Sequence, residues 1–506
     1  MPKKVKVKEA FIRQAFGNSS DLVVRELHVG PGGKFTVLMV YLDGLVDKAI
    51  ISENMIERIS DRADRCRTPG QAYDDLKNRI IAVSDVKETG NLYDFLNYVA
   101  RGYCGLVMDD VPKALVADTR GWAQRNIEEP TTEATIRGAK EGFVETLRTN
   151  TALLRRRVKH PRLRIEEYDI GTISKTSVAV AYISGLADEK VVQEVRNRLG
   201  RINVDSIQES GQVEELIEDA PFSPFPTILR TERPDKVAGA LFEGRIAILT
   251  DGTPFVLIVP VTLTMFLTTP EDYFERTFIG SALRAIRYLA FFTSLTLPSL
   301  YVAVTTFHQE MLPTPLVLNI ASQREGVPFP AVVEALLMEV LFEILREAGV
   351  RLPKIVGPAV SIIGALVIGE AAMRAGLVSP IMVVVVATTG IASFATPVFS
   401  LAIGARLLRF IMLLLAGSLG FFGIVAGLFG LAIHLTSLRS FGVPFMEPIA
   451  PILVSEFKDL LARVPWWAMH TRPALVGHED LVRQGRDQKP GAPDSPSRRL
   501  ADKKQI

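Results

Sequence analysis

The stretch Phe410–Leu438, FIMLLLAGSLGFFGIVAGLFGLAIHLTSL, runs for 29 residues without one Asp, Glu, Lys or Arg. About 20 apolar residues suffice for a helix to cross about 30 Å of hydrocarbon, so this run is long enough to span a bilayer. Around it, Leu352–Ser440 holds six charged residues (Lys354, Glu370, Arg374, Arg406, Arg409, Arg439), where the chain-wide share of 23% would place about twenty. Three more uncharged or nearly uncharged runs of bilayer length precede it: Tyr288–Phe307, Ile355–Met373 with Glu370 inside, and Pro380–Pro397. One such run fits the buried helix of a large soluble protein. Four in succession predict an all-α, multi-span membrane domain over 288–460.

Flanking Lys and Arg mark the cytoplasmic side. Arg276, Arg284 and Arg287 precede the first run and Arg439 follows the fourth, so an even number of crossings, about four, is expected with both termini inside. Arg406 and Arg409 resist this scheme, because they fall in an outside loop unless Val398–Arg409 turns back early. Gly252–Pro270 is also uncharged, but Pro254 and Pro260 interrupt it, and Ile246–Leu249 with Phe255–Val259 read as an extramembrane hairpin about Asp251-Gly252. The following Glu271–Arg287 is amphipathic and is expected at the membrane interface. Residues 461–506, rich in Lys, Arg, Pro and Gly, read as a basic, disordered cytoplasmic tail.

Between the first two runs, Pro330–Val350 has Glu339, Glu343 and Glu347 at four-residue spacing, hence on one helical face. Either this is a solvated stripe, with Glu347 and Arg351 an ordinary i,i+4 pair, or subunits around an axis make it an acidic, cation-concentrating vestibule. Polar residues inside the runs supply the other ion-pathway candidates: Glu370, Thr388, Thr389, Ser393 and Thr396. A carboxylate in hydrocarbon costs roughly 2.5–3.5 kcal/mol, so Glu370 either faces water or a partner, or pairs with Arg374 at the membrane edge. Ser and Thr also commonly bond their own helix. Pro298 and Pro397 are candidate breaks.

The remaining half is organised by duplication. Shifted by 141 positions, LVVRELHVGPGGKFTVLMVYLDGLVD (Leu22–Asp47) aligns without gaps on LRIEEYDIGTISKTSVAVAYISGLAD (Leu163–Asp188), with nine of 26 positions identical. Each copy reads strand, Gly-containing turn, strand, then Gly-Leu-x-Asp leading into a helix that the Asp caps. Two related α/β lobes follow, 1–118 and 161–240, joined by a helical link over 119–160, with a connector over 241–287. Within the link, Arg137, Glu141, Arg155, Arg156 and Arg157 form a mixed cluster suited to interlobe salt bridges; an anion or headgroup site is the alternative.

Composition narrows function. The 58 Lys and Arg against 56 Asp and Glu leave +2, too little excess for a nucleic-acid surface. Cys66 and Cys104 are the two cysteines, and the six histidines show no paired metal spacing, so no disulfide framework, zinc cage or other cofactor is expected. The start, MPKKVKVKEAFIRQAF, lacks the apolar core of a secretory signal. GPGGK at 30–34 is not followed by Ser or Thr and reads as a hairpin turn, not a phosphate loop. GSLGFFG at 417–423 lies within a span, where small residues let helices approach. No catalytic constellation stands out.

Longer blocks carry a resemblance. RGAKEGFVETLRTNTALLRRR (137–157), SPFPTILRTERPDKVAGALFEGRIAILTDGTPFVLIVP (223–260), MLPTPL (311–316), VEALLMEVLFEILREAGVRLP (333–353), IIGALVIGEAAMRAGLVSP (362–380) and IASFATP (391–397) resemble the A-type subunit of the GerA family of spore germination proteins. The wording RGAKEGFVE and SFATP equally resembles its stage-V sporulation paralogue. The resemblance covers about 20–470 and implies a multi-pass protein of the spore inner membrane. It further implies an integral-membrane B subunit and a lipoprotein C subunit as partners, lipid contact, and homo-oligomers forming a nutrient-gated channel for monovalent cations. A secondary transporter or a non-conducting scaffold are the other classes to weigh; transport predicts an inverted repeat among the spans.

Overall fold

Duplication is plain in the backbone of the computed structural model, which describes residues 1–506 apart from 18, 63–67, 84, 122–129, 131, 132, 134–136, 352–366, 368, 478, 479, 486, 487 and 492–506. Lobe 1 is a five-stranded sheet of order β1-β2-β4-β5-β3, built from β1 (Leu22–Val29), β2 (Phe35–Leu42), β3 (Val86–Thr89), β4 (Cys104–Met108) and β5 (Ala114–Ala117). Lobe 2 repeats that order as β6-β7-β9-β10-β8, with β6 (Leu163–Ile170), β7 (Thr176–Ile183), β8 (Leu229–Thr231), β9 (Ile246–Thr250) and β10 (Val256–Val259). All paired neighbours run antiparallel. The aligned copies keep one register: Leu22 opposite Leu42, Leu163 opposite Ile183. Asp47 accepts from the Ala49 and Ile50 N–H groups and Asp188 from Lys190, so both cap the helix that follows. Gly30 and Gly171 occupy the same turn at positive φ (88° and 95°), which glycine adopts without a Cβ penalty.

Side-chain alternation explains why helices cover both faces of each sheet. In β2, Val37 and Met39 enter one core while Leu38, Val40 and Leu42 enter another with Ile12 and Phe16 of α1 (Val5–Phe16) and Phe95 and Val99 of α2 (Leu92–Ala100). In β7, Val178 and Val180 meet Val192 and Val195 of α4 (Glu189–Gly200), the helix after the linking α3 (Leu147–Arg157). The opposite face, Ala179, Ala181 and Ile183, packs on Leu154 of α3 and on Val237 and Leu241 of α5 (Pro234–Phe242). The same core takes in Phe291, Leu401 and Leu435 from the helical C-terminal half, so lobe 2 is the seat on which the bundle stands.

That bundle contains α6 (Thr277–Phe307), α7 (Thr314–Arg324), α8 (Ala331–Arg351), α9 (Pro380–Phe394) and α10 (Phe399–Ser437). Among the described residues two helices, α6 and α10, are long and apolar enough to cross a membrane. Pro298 sits inside α6 without ending it. Pro397 lies between α9 and α10.

α10 is not straight. Gly420, at φ 60° and ψ −137°, leaves helical geometry and folds the segment into two arms. In a continuous helix Met412 and Gly427 would stand about 22 Å apart; here a Cβ on Gly427 would lie 2.6 Å from Met412 Sδ. A Cβ on Gly423 would lie 2.1 Å from the Leu415 carbonyl oxygen. Both open ends return to lobe 2: Gly404 abuts Pro224, and His434 Nε2 is 2.9 Å from Ser223 Oγ. The tip packs on Phe307 and His308, where α6 ends. The single fourth span expected over Phe410–Leu438 is thus a helical hairpin, because the glycine run permits a backbone state no other residue adopts cheaply. Its first arm includes Arg406 and Arg409, which stand near the end that returns to lobe 2.

Directions follow from such contacts. α8 starts at the far end, with Val332 against Gly417, and descends until Glu343 meets Arg406 near lobe 2. α9 starts beside it, the Ser379 N–H donating to Glu334 Oε1 (2.6 Å), and descends to Ser393 beside Arg346. Gly376 sits at the far end against Gly326. Most of the second expected span, Ile355–Met373, lies outside the described residues.

Two other expectations differ from what forms. Glu271–Arg287 is not one continuous element: a turn over Glu271–Phe274 gives way at Glu275, and Thr277 begins α6, so Arg284 and Arg287 belong to the long helix. The described part of the tail is folded through Val482. Met469 and Val476 are buried, the Arg472 Nε donates to the Phe242 carbonyl (3.0 Å), and Thr471 bridges Val482. Apolar residues within an otherwise basic segment supply that docking. Residues 492–506, its most basic part, lie outside the described residues.

Candidate ion-pathway site

α8 brings its carboxylates against α10. Glu339 is fully buried, with Oε2 3.1 Å from Arg409 Nη2, close enough for an ion pair but short of hydrogen-bond geometry. One turn on, Glu343 accepts from Arg406 (2.9 Å) and Arg409 (3.3 Å) and lies 3.5 Å from Arg346. Arg346 also donates to Ser393 Oγ of α9 (2.8 Å), its guanidinium stacked between Phe342 and Phe394 at 4.8 and 4.9 Å. Three guanidinium groups therefore face two carboxylates inside a helical bundle. Removing charge from water is costly unless each ion is paired and bonded. This cluster is only partly so: Arg346 Nε, Arg406 Nε, and Arg409 Nε and Nη1 have no acceptor among the described residues.

The expected stripe of free carboxylates is thus not what the chain presents. Glu339 and Glu343 are neutralised by Arg409 and Arg406, while Glu347 is exposed and pairs with Arg351 (2.6 Å). Glu370 pairs with Arg374 (2.6 Å), both exposed, which is the i,i+4 alternative. Thr389 and Ser393 are buried on the face of α9 that meets α8, where Gly390 lets Phe342 approach, and both bond their own helix at Val385 and Gly390. Thr396 is buried near the end of α9, whereas Thr388 is exposed on the other face. Sequence reasoning missed Arg346 and the roles of Arg406 and Arg409. Their i,i+3 spacing on an apolar helix, facing Glu339 and Glu343 at i,i+4, was the available signal.

The mixed cluster of the link divides. Arg155, fully buried, donates to Asp21 (2.7 and 2.8 Å) and Ser19 (2.7 Å), and Ser19 Oγ in turn accepts from the Ile165 N–H, so this residue joins the lobes. Glu141 instead accepts from Arg156 and Arg157, both at 3.1 Å, within the link. Arg137, exposed, reaches Glu275 of the connector at 3.5 Å, not lobe 1.

A second network, invisible to sequence spacing, ties lobe 2 to α6. Arg233 bridges Asp235 (2.7 Å) and Glu271 (2.6 Å). Next door, buried Asp272 accepts from Arg284 (3.2 Å) and Arg287 near the start of α6. Burial pushes the Asp272 carboxyl up, but Arg287 and Arg284 outweigh it and hold it below the usual carboxylate range. Arg284 also bonds Asp459 (2.7 Å), which accepts from the Tyr273 hydroxyl (2.6 Å). Lobe, long helix and C-terminal segment meet in one set of ion pairs.

With this geometry in hand, comparison with known proteins is decisive. The family model described as Bacillus/Clostridium GerA spore germination protein matches residues 10–475. The chain belongs to the GerA family. It is 49% identical over 478 residues to "Spore germination protein KA" of Bacillus subtilis (strain 168), covering 94% of this chain and 88% of that one. It is also 45% identical over 458 residues to "Uncharacterized membrane protein YfkQ" of the same organism, covering 90% and 88%. Among solved structures, the N-terminal domain of the A subunit of the Bacillus megaterium spore germinant receptor GerK3 aligns at 36% identity and a TM-score of 0.40, covering 51% of this chain and 96% of that one. GerA proteins are thus described by a role in spore germination, not by an enzymatic activity, and a membrane protein stands among this chain's relatives.

Proposed function

We propose that this GerA protein is the A-type subunit of a spore germinant receptor and forms, as a homo-oligomer, a nutrient-gated cation channel. Its place is the spore inner membrane, with integral-membrane B and lipoprotein C subunits as partners. The directions of the described helices, α6 outward, α8 inward, α9 inward and the two arms of α10 outward and back, fit a multi-pass arrangement. The lobes and tail then share the cytoplasmic side with Arg284, Arg287 and Arg439, as the positive-inside rule asks.

The observation that carries the reading is the partly satisfied charge cluster of Glu339, Glu343, Arg346, Arg406 and Arg409 within apolar helices. Ionisable groups at membrane depth mark ion pathways by default, and a cluster with open donors has an alternative pairing to switch to. In this reading Glu339 and Glu343 are released from Arg409 and Arg406 on opening and face the permeating cation beside Thr389, Ser393 and Thr396. Thr388 faces a neighbouring subunit, and Glu370 with Arg374 lies at the outer edge. The Arg233–Glu271 and Asp272–Arg284 pairs transmit lobe movement to α6. The break at Gly420 is a device transporters also use, but the duplication lies in the lobes, not among the helices, which favours the channel. Reconstitution with B- and C-type partners in potassium-loaded liposomes tests this: nutrient-triggered efflux is expected, with lower cation over anion preference after Glu339→Gln with Glu343→Gln. No efflux under any partner or nutrient condition would end the channel reading.

A further inference from the structure

Between α5 and the C-terminal segment lies a cavity of about 580 Å³, well within the range of small-molecule sites. Most charges on its walls are already engaged. Arg157 bonds Glu141 (3.1 Å), Lys236 bonds Glu133 (2.9 Å), Asp235 bonds Arg233 (2.7 Å) and Asp459 bonds Arg284 (2.7 Å). Glu447 stands apart as a carboxylate with both oxygens open, although Arg157 and Arg245 each leave Nε without a hydrogen-bond partner among the described residues. It is 97% buried, and neither carboxylate oxygen has a hydrogen-bond partner among the described residues; the Leu475 N–H lies near without reaching good geometry. The cation that influences it most, Arg245, gives one nitrogen to the Pro260 carbonyl and stands 3.5 Å from Glu243, with its Nε left without an acceptor among the described residues. Aromatic rings complete the wall at Phe242, Tyr273, Phe274 and Trp466.

We propose that this cavity binds a small organic cation, an ammonium or amidinium on an apolar body, with Glu447 as its anchor and the aromatic wall as its cradle. An isolated buried carboxylate costs several kcal/mol, and a cationic ligand converts that cost into an ion pair. Ring faces add attraction for a cation and contact for an apolar body. An anion meets Glu447, Glu456 and Glu243; a neutral molecule leaves Glu447 unpaired. Burial pushes the Glu447 carboxyl up to about 7, with Glu456 adding to the shift and Arg245 opposing it. Thr268, Thr269 and Pro270 also line the cavity, so the ligand touches the segment leading into α6.

Calorimetry on the full chain in detergent at pH 8 tests this with 2-phenylethylammonium chloride, 2-phenylethanol and 3-phenylpropionate. The ammonium is expected to bind saturably at one site, at least tenfold tighter than the alcohol, with no saturable binding of the carboxylate. Glu447→Gln should erase the tenfold preference while the melting temperature stays at or above that of the unaltered chain. Should that variant not fold, Trp466→Leu should weaken ammonium binding severalfold. Equal binding of ammonium and alcohol, absence of ammonium binding, or a preference that survives Glu447→Gln would overturn the assignment. Because the readout needs neither partner subunits nor current, its failure would leave the channel reading standing.

Discussion

Replacing Arg409 with Met tests the charge cluster where it is least forgiving. Arg409 supplies the cation 3.1 Å from Glu339, and both side chains are essentially removed from solvent. Without it Glu339 is a buried, unpaired carboxylate, a situation that costs about 3–5 kcal/mol. The reverse change, Glu339→Gln, is milder: Arg409 keeps Glu343 at 3.3 Å, so about 1–3 kcal/mol is expected. The double variant carries neither charge and, since a buried pair replaced by well-packed apolar atoms is often neutral, should return to within about 1 kcal/mol of the starting protein. The coupling energy of the cycle is then at least about 3 kcal/mol. At roughly 2–4 °C per kcal/mol for a domain of this size, Arg409→Met should melt roughly 10 °C low and the double variant near normal, by thermal unfolding of the full chain in detergent. A double variant as unstable as the sum of the two single ones would refute the pairing.

Gly420→Ala should lower the melting temperature by the equivalent of roughly 2–5 kcal/mol, since its backbone state excludes a Cβ and that Cβ would sit 2.8 Å from His308. Gly430→Ala, in the second arm with open space around it, should instead be neutral or slightly stabilising in the same assay. Arg155→Ala should cost about 3–5 kcal/mol by stranding Asp21 between the lobes, and hydrogen exchange should show the loss at Ser19–Leu22 and Ile165 first. Glu447 binds its proton more tightly in the folded chain (about 7) than unfolded, so stability falls as pH rises through the interval from about 4.5 to 7 and is level above it. Against the unaltered chain, Glu447→Gln should flatten that decline by on the order of 3 kcal/mol in pH-dependent melts without added ligand.

What the sequence made legible was periodic or repeated. The lobes could be read because hydrophobic alternation, turn glycines and capping Asp47 and Asp188 recur at a fixed offset, and local chemistry dictates each of them. The apolar helices were legible from charge depletion, which requires only composition. The turn at Gly420 was not, because a glycine run among apolar residues serves close packing and chain reversal equally well, and only contacts such as Met412 with Gly427 tell them apart. The acidic face of α8 could be placed by spacing, yet what neutralises it comes from Arg406 and Arg409, more than sixty residues on. The Arg284–Asp459 pair spans 175 residues with no periodic sign. Glu447 gave no signal at all, since an isolated carboxylate reveals itself only when nothing is found beside it.

Side-specific labelling of single cysteines, in a chain cleared of Cys66 and Cys104 and placed in sealed vesicles, reports how the helices thread the bilayer. The tip of the α10 hairpin should lie on the far side of the membrane and its ends with the lobes. Ser418→Cys and Glu325→Cys should react with an impermeant thiol reagent from the face opposite to the one that labels Ser437→Cys. Labelling of Ser418→Cys and Ser437→Cys from the same face, or of all three without regard to the membrane, would contradict this arrangement.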